Sequence, residues 1–356
     1  MFQSLPLFAL IAIFLASAAV IWLAGTKLSD TTDVLSKRFH LGQALGGLLI
    51  LAIVTNLPEI AITVAAAFTN QIPVAVGNIL GGIAIQTVVL AVLDPFTQSS
   101  RPLTSLVKSL MPVLEASLVI VVLVLVVMSK QLSPSFALGG VGPGEASILL
   151  TWVVGLWLLN RARRGLPWRT QDPGQGAGQD GNDDQGDDSD DDQGGDKKTN
   201  TGRTLFIFAA AAIATLAAGI VIEQAGDGIA QQIGMTGALF GATFLAASTA
   251  LPELSTGLEA VKIKDDTLAI SDIFGGNAFL PVLFLVAGLL SGSPVLTQAQ
   301  PADLYLTGLG ILLTAVYIWG LVFRSERLFW RMGLDSLLVL ILYILGIVGL
   351  IAVPGG

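Results

Sequence analysis

Apolar runs of roughly membrane-spanning length alternate with short polar segments along most of this chain. They fall at about residues 5–24, 41–67, 72–93, 111–129, 145–160, 204–223, 235–259, 267–290, 304–323 and 333–353. The pattern predicts an all-α polytopic membrane protein with ten transmembrane helices, the fifth close to the lower limit of a span. The first run resembles a signal peptide in position only. Met1 to Pro6 carries no basic residue and the apolar part is long, so an uncleaved helix is expected.

Basic residues then orient the ten helices. With the N-terminus outside, 17 of the 18 Lys and Arg fall in segments facing the cytoplasm, and Lys130 alone faces out. A missed or extra helix would scramble that asymmetry. Both termini are therefore expected outside, in a cell (inner) membrane. Composition agrees: charged residues are 12% of 356 and mean hydropathy is +0.77. The chain has no cysteine, which excludes disulfides, thiolate chemistry and Cys-ligated metals. Its formal charge of −8 comes from one stretch, Asp172 to Asp196, whose ten Asp stand without a Lys or Arg; without them the charge is +2. That stretch predicts a solvated, disordered cytoplasmic linker, with a low-affinity cation collector as the alternative. It lacks the acid spacing and closing Glu of an EF-hand loop.

A motif occurs twice. Val54-Thr55-Asn56-Leu57-Pro58-Glu59 and Gly77-Asn78-Ile79-Leu80-Gly81-Gly82 return, 194 residues later, as Ser248-Thr249-Ala250-Leu251-Pro252-Glu253 and Ser271-Asp272-Ile273-Phe274-Gly275-Gly276. The copies lie on predicted helices 2–3 and 7–8. Five helices separate them, so they enter the membrane in opposite senses. The organisation predicted is a 5+5 inverted-topology repeat, the architecture of secondary transporters with a site near the bilayer midplane. Residues 1–160 form the first half (motif 54–86), 161–203 the linker and 204–356 the second half (motif 248–280).

An ionisable group inside a span marks a candidate site. Thr55 and Glu59 share a helix face with Asn56 close by, and Pro58 frees the Val54 carbonyl, which needs a cation, a water or a hydroxyl as partner. Thr249, Pro252 and Glu253 repeat this with the Ser248 carbonyl. Asn78, Gly82 and Gln86 form one stripe on the facing helix, and Asp272, Gly276 and Leu280 the corresponding one. The glycines fit close helix packing or a pore lining. Asp272 fits direct participation or a helix-start acid. The candidate cation-binding residues are therefore Glu59, Glu253, Thr55, Asn56, Thr249, Asn78, Asp272 and Gln86, with Glu59 and Glu253 as direct ligands. They make a hard oxygen set, suited to Ca²⁺, Na⁺ or Mg²⁺. Glu115, Glu145, Glu223 and Asp335 lie near run ends and are expected at the interface. Asp94 closes helix 3 before Pro95, and His40 is expected on the cytoplasmic surface.

These motifs resemble the α-repeats of the Ca²⁺/cation antiporter superfamily, which includes Na⁺/Ca²⁺ and H⁺/Ca²⁺ exchangers. Thr55, Leu57, Pro58, Glu59, Gly77, Asn78 and Gly81 match in the first copy, and Thr249, Leu251, Pro252, Glu253, Gly275 and Asn277 in the second. The resemblance implies that Glu59 and Glu253 bind the transported cation beside Thr55 and Thr249, and that helices 1 and 6 slide as a gate. The chain departs from the pattern at Asn56 and Ala250, where Ser is usual; at Gly82 and Gly276, where a hydroxyl is usual; at Gln86 and Leu280, where Asn is usual; and at Asp272.

The expectation is a secondary active antiporter exchanging a divalent cation, foremost Ca²⁺, against H⁺ or Na⁺. Na⁺/H⁺ or Mg²⁺ exchange through the same site is the alternative; an uncoupled cation channel or a non-transporting cation sensor is the rival class. No nucleophile–base pair, His cluster or cofactor loop points to an enzyme or to a cofactor beyond the transported ions. The partners expected are cations and the lipid bilayer, not a nucleic acid. Oligomeric state is left open.

Overall fold

The computed structural model describes residues 5–38, 53–133, 136–163 and 201–354. The acidic stretch and His40 lie outside these residues. The described part is built from helices: α1 (Leu7–Arg38), α2 (Leu57–Phe68), α3 (Ile72–Leu93), α4 (Met111–Ser129), α5 (Pro143–Arg163), α6 (Thr201–Ile233), α7 (Leu251–Lys262), α8 (Asp266–Ser291), α9 (Pro301–Phe323) and α10 (Leu334–Leu350). A two-residue hairpin, β1 (Leu328–Phe329) with β2 (Met332–Gly333), joins α9 to α10.

Six helices among the described residues are long and apolar enough to cross a membrane: Leu7–Leu28 of α1, Ile72–Phe96, α4, Gly202–Ile233, α8 and α9. Leu57–Phe68 and Leu334–Leu350 are apolar but shorter. Two of the ten predicted spans, the first of them described only from residue 53, are broken locally. Each is interrupted just before its Leu-Pro-Glu motif. Asn56 (φ −86, ψ 14) and Ala250 (φ −78, ψ 1) leave the helical region, and α2 and α7 restart one residue later with Pro58 and Pro252 in the first turn. Proline is favoured there because it lacks the N–H that a helix start would leave unpaired. The segment ahead of α7 is distorted further: Gly237–Phe240 passes through a π turn, Gly241–Leu245, into Ala246–Thr249. π turns recur at functional sites.

Burial sorts the helices into two groups. α3 is buried over nearly its whole length, and its apolar side chains join those of α4, α8, α9 and α10 in one cluster. α1 and α6 pack along each other and share a separate cluster, with Leu10, Phe14, Ile21, Ile222 and Ile229 meeting Ile62, Val74, Phe240 and Leu245.

This pair meets the broken helices through two glycines. A Cβ on Gly25 of α1 would lie 2.7 Å from the Cβ of Pro252, and one on Gly219 of α6 would lie 2.7 Å from the Cβ of Ala61 and 3.2 Å from the carbonyl oxygen of Pro58. Gly25 and Gly219 are 194 residues apart, as Pro58 and Pro252 are. Each long helix therefore rests, bare of side chain, on the proline turn of the other copy.

Most of the acids expected at the interface are built into the protein. Glu115 is buried and pairs with Arg163 at 3.4 Å. Glu145 is buried and accepts from the backbone N–H groups of Gly142 (3.1 Å) and Leu296 (3.0 Å). Half-buried Asp335 accepts from the Thr104 hydroxyl at 2.7 Å. Asp94 ties the loop after α3 to the hairpin, accepting from the N–H of Leu103 (2.7 Å) and of Gly333 (2.6 Å). Arg163, Leu296, Thr104 and Gly333 lie far from these acids along the chain, a long-range pairing that the apolar pattern does not encode. Glu223 is buried as well, and its Oε2 has no hydrogen-bond partner among the described residues.

Candidate functional site

The two helix breaks bring the two glutamates face to face across Gln86. Glu59 stands in the first turn of α2 and Glu253 in the first turn of α7, both buried. From α3, the Gln86 side-chain nitrogen lies 3.3 Å from Glu59 Oε1, 3.4 Å from Glu253 Oε1 and 3.4 Å from Asn56 Oδ1. An amide nitrogen has two protons, so it cannot satisfy three acceptors. All three contacts are also longer than the usual 2.9–3.0 Å. The oxygens are thus held near one another without being fully paired. Glu59 Oε2, Glu253 Oε2 and Gln86 Oε1 are buried with no hydrogen-bond partner among the described residues.

Unpaired buried polar atoms are costly, about 1–3 kcal/mol each and more when charged. Several around one point mark a place built for a group that supplies positive charge. Two carboxylates match the charge of one divalent cation, and the set holds no sulfur or imidazole. Among the described residues no three carboxylates or imidazoles converge closely enough to hold a metal on their own. The amides and hydroxyls would therefore have to complete any coordination.

The remaining candidates sit at different distances from this point. Thr249 neighbours Glu59 while donating its hydroxyl to the Ala246 carbonyl at 3.1 Å. Thr55 is buried one residue ahead of the break. Asp272, on α8, is an electrostatic neighbour of Glu253 and accepts from the Thr256 hydroxyl at 2.7 Å. Asn78 is buried, and neither polar atom of its side chain has a hydrogen-bond partner among the described residues. Its backbone lies against the π turn: a Cβ on Gly241 would meet the Asn78 nitrogen at 3.1 Å and the Val74 oxygen at 2.9 Å.

The glycines facing the site do unequal work. A Cβ on Gly276 would lie 2.8 Å from the Asn56 side-chain nitrogen, so glycine makes the room that Asn56 occupies. At Gly82, the counterpart, a Cβ would meet only Leu280 Cδ1 at 3.6 Å, an ordinary contact. Two polar residues near the site were not among the sequence candidates. Thr256 follows Glu253 by three residues, one helical turn, and that spacing is the signal that could have found it. Asn277 donates to the Thr87 hydroxyl (3.2 Å) and the Ile83 carbonyl (3.4 Å), locking α8 to α3 below Gln86.

A family model of sodium/calcium exchanger proteins matches residues 9–159 and 203–351. The chain belongs to the sodium/calcium exchanger protein family. It is therefore a membrane-embedded secondary transporter of cations, an antiporter and not an enzyme. One glutamate of the facing pair falls in each matched block of this exchanger. Among curated proteins, the inner membrane protein YrbG of Escherichia coli (strain K12) is 24% identical over 285 residues, which is 77% of each chain. Among solved structures, the sodium-calcium exchanger NCX_Mj, soaked with 2.5 mM Na⁺ and 0.1 mM Ca²⁺, superposes with a TM-score of 0.59 at 16% identity, over 96% of this chain and 98% of that one. The H⁺/Ca²⁺ exchanger CAX superposes with a TM-score of 0.68 at 10% identity, over 95% of this exchanger and 82% of CAX. At these identities the superpositions show a shared fold and leave the coupling ion open.

Proposed function

We propose that this chain exchanges Ca²⁺ against H⁺ by alternating access, with Glu59 and Glu253 as the ligands that carry charge and Asn56, Gln86, Thr55 and Thr249 as neutral oxygen donors. The observation that carries this reading is the pair of buried glutamates sharing one amide proton donor and leaving their outer oxygens unpaired. Two negative charges in a low-dielectric interior are expensive to move between faces when bare. A divalent ion neutralises them, and so do protons or Na⁺. Competition between these for the same oxygens couples the two fluxes. The NCX_Mj and CAX folds support calcium as the substrate class.

Na⁺ in place of H⁺ is the second reading within the family. Against it, Gly82, Gly276 and Leu280 supply no side-chain oxygen, and Asn56 fills the space beside Gly276. Asn78 and Asp272 complete the proposed site as flanking groups. We assign ten crossings in a 5+5 inverted repeat, with halves 1–160 and 204–356. We place the chain in the inner membrane, both termini outside and the 161–203 linker in the cytoplasm. The equal breaks at Asn56 and Ala250 and the crossed glycine–proline contacts support the repeat. Proteoliposomes test the reading: ⁴⁵Ca²⁺ uptake should follow an outward H⁺ gradient and vanish in Glu253→Gln. Uptake driven by Na⁺ alone would favour the second reading. Flux without any counter-ion would make the protein a channel.

A further inference from the structure

Glu223 is a buried carboxyl outside the site described above. It lies on α6, is 1% exposed, and its Oε2 has no hydrogen-bond partner among the described residues. Its neighbours on the helix form a graded series. At four-residue steps, about 6 Å each along the axis, come exposed Gln231, half-buried Asp227, buried Glu223 and then Gly219. Gln231 donates to Asp227 at 2.8 Å. Gly219 ends the series against the carbonyl oxygen of Pro58, the residue before Glu59. The polar stripe thus runs from the exposed C-terminal end of α6 to the immediate neighbour of the glutamate pair.

Two close approaches fix where Glu223 faces. One turn inward, Gly219 abuts α2 at Pro58 and Ala61. One turn outward, Gly226 abuts the ring of Phe240, where a Cβ would lie 2.6 Å from Cε1. Phe240 sits just ahead of the π turn that leads to Glu253, and packs edge-on against Phe14 of α1 at 5.7 Å. Glu223 is therefore enclosed at the junction of α6, α2 and the segment entering α7. The apolar side chains that close this junction, Ile62, Ile222 and Phe240, offer its carboxylate nothing to pair with. Two hydroxyls without a hydrogen-bond partner among the described residues continue the series, Thr215 on α6 and Thr63 one turn beyond Glu59 on α2, both fully buried.

We infer that Glu223, assisted by Asp227, is a transient binding station for the transported hard cation on its way between the face where α1 begins and the Glu59–Glu253 pair. This rests on the exchanger reading and adds a site to it. A carboxylate with a free oxygen, a second acid one turn outward and hydroxyls further in would replace hydration oxygens stepwise. The station lies to one side of the pair, so it serves one face of the membrane only.

The test measures initial ⁴⁵Ca²⁺ uptake by the full chain in proteoliposomes sorted by orientation, against external Ca²⁺, for wild type, Glu223→Gln, Glu223→Asp and Asp227→Asn. From the face where α1 begins, Glu223→Gln should raise the apparent KM about fivefold or more and Asp227→Asn about twofold, as loss of one charged contact implies. From the opposite face both should stay within about twofold of wild type, and Glu223→Asp should restore most of the loss. An unchanged KM from both faces, or an equal rise from both, overturns the inference. Should Glu223→Gln fail to fold, a symmetric or absent effect of Asp227→Asn overturns it alone. Exchange by the wild type with no one-sided effect sinks this station and leaves the exchanger standing; no exchange by the wild type sinks both.

Discussion

The two copies of the repeated motif share a backbone and differ in what they put on it. Both break a helix one residue before Leu-Pro-Glu, and both present a glutamate in the turn that follows. The first copy adds an amide on each side, Asn56 and Gln86. The second has Ala250 and Leu280 at those positions and a charge, Asp272, where the first has Asn78. Backbone geometry has thus been kept in duplicate, while amides gather at these positions of one copy and the extra acid in the other. In the proposed exchange, a symmetric frame with an asymmetric lining would let one ion be held at the centre and approached differently from the two faces.

The largest effect should come from what the copies share. Glu59→Gln or Glu253→Gln should each lower exchange about 100-fold or more, because an uncompensated buried charge costs roughly 3–5 kcal/mol. Full activity in either variant, read as ⁴⁵Ca²⁺ uptake, would remove that glutamate from the site. Next comes the amide. Gln86→Leu gives the first copy the lining of the second and should cost about tenfold in transport, the scale of a hydrogen bond to a charged group. Leu280→Gln should stay within about threefold. Equal losses in the two would mean that the copies are lined alike in effect.

The crossed glycines sharpen the comparison further. Gly25→Val and Gly219→Val each push a side chain into a proline turn, an overpacking cost of about 1–3 kcal/mol. Turnover should fall in both to a similar degree, with the apparent KM little changed. A loss confined to one would show that only one half bears on the transport cycle. A smaller effect than that of the shared glutamates or of Gln86 is expected from the flanking pair. Asp272→Asn should change Ca²⁺ affinity up to about fivefold, the range of a single charge held off the centre by its own partner, Thr256. A loss as large as that of Glu253→Gln would make Asp272 a direct ligand instead.

Much of this frame was legible in the residues themselves. The 194-residue offset, the two prolines and the two acids in apolar surroundings identified the segments that the structure brings together, and Gln86 could be placed on the stripe facing them. The depth of the other acids could not. Glu115, Glu145 and Asp94 look terminal along the chain because they stand near the ends of apolar runs. Their partners, Arg163 at the end of α5, Leu296 and Gly333, lie far along the chain, and no local period reports such a pairing. The breaks at Asn56 and Ala250 were only half visible. Proline announces a freed carbonyl, but the restart of the helix one residue after the break depends on α1 and α6 packing against that turn. Among the described residues six helices reach full spanning length where ten apolar runs were read, and these interruptions are part of the difference.

The crossed contact between the long helices and the proline turns has a consequence for assembly. Gly25 touches Pro252, and Gly219 touches Pro58. Residue i of one half meets residue j of the other, and the converse holds at the same offset. That is the rule of an isologous interface, the kind two identical subunits form about a two-fold axis. Each half covers the turn that presents the other half's glutamate, so neither half encloses a site by itself. In the proposed organisation of two halves, the molecule is in effect a dimer whose subunits share one chain.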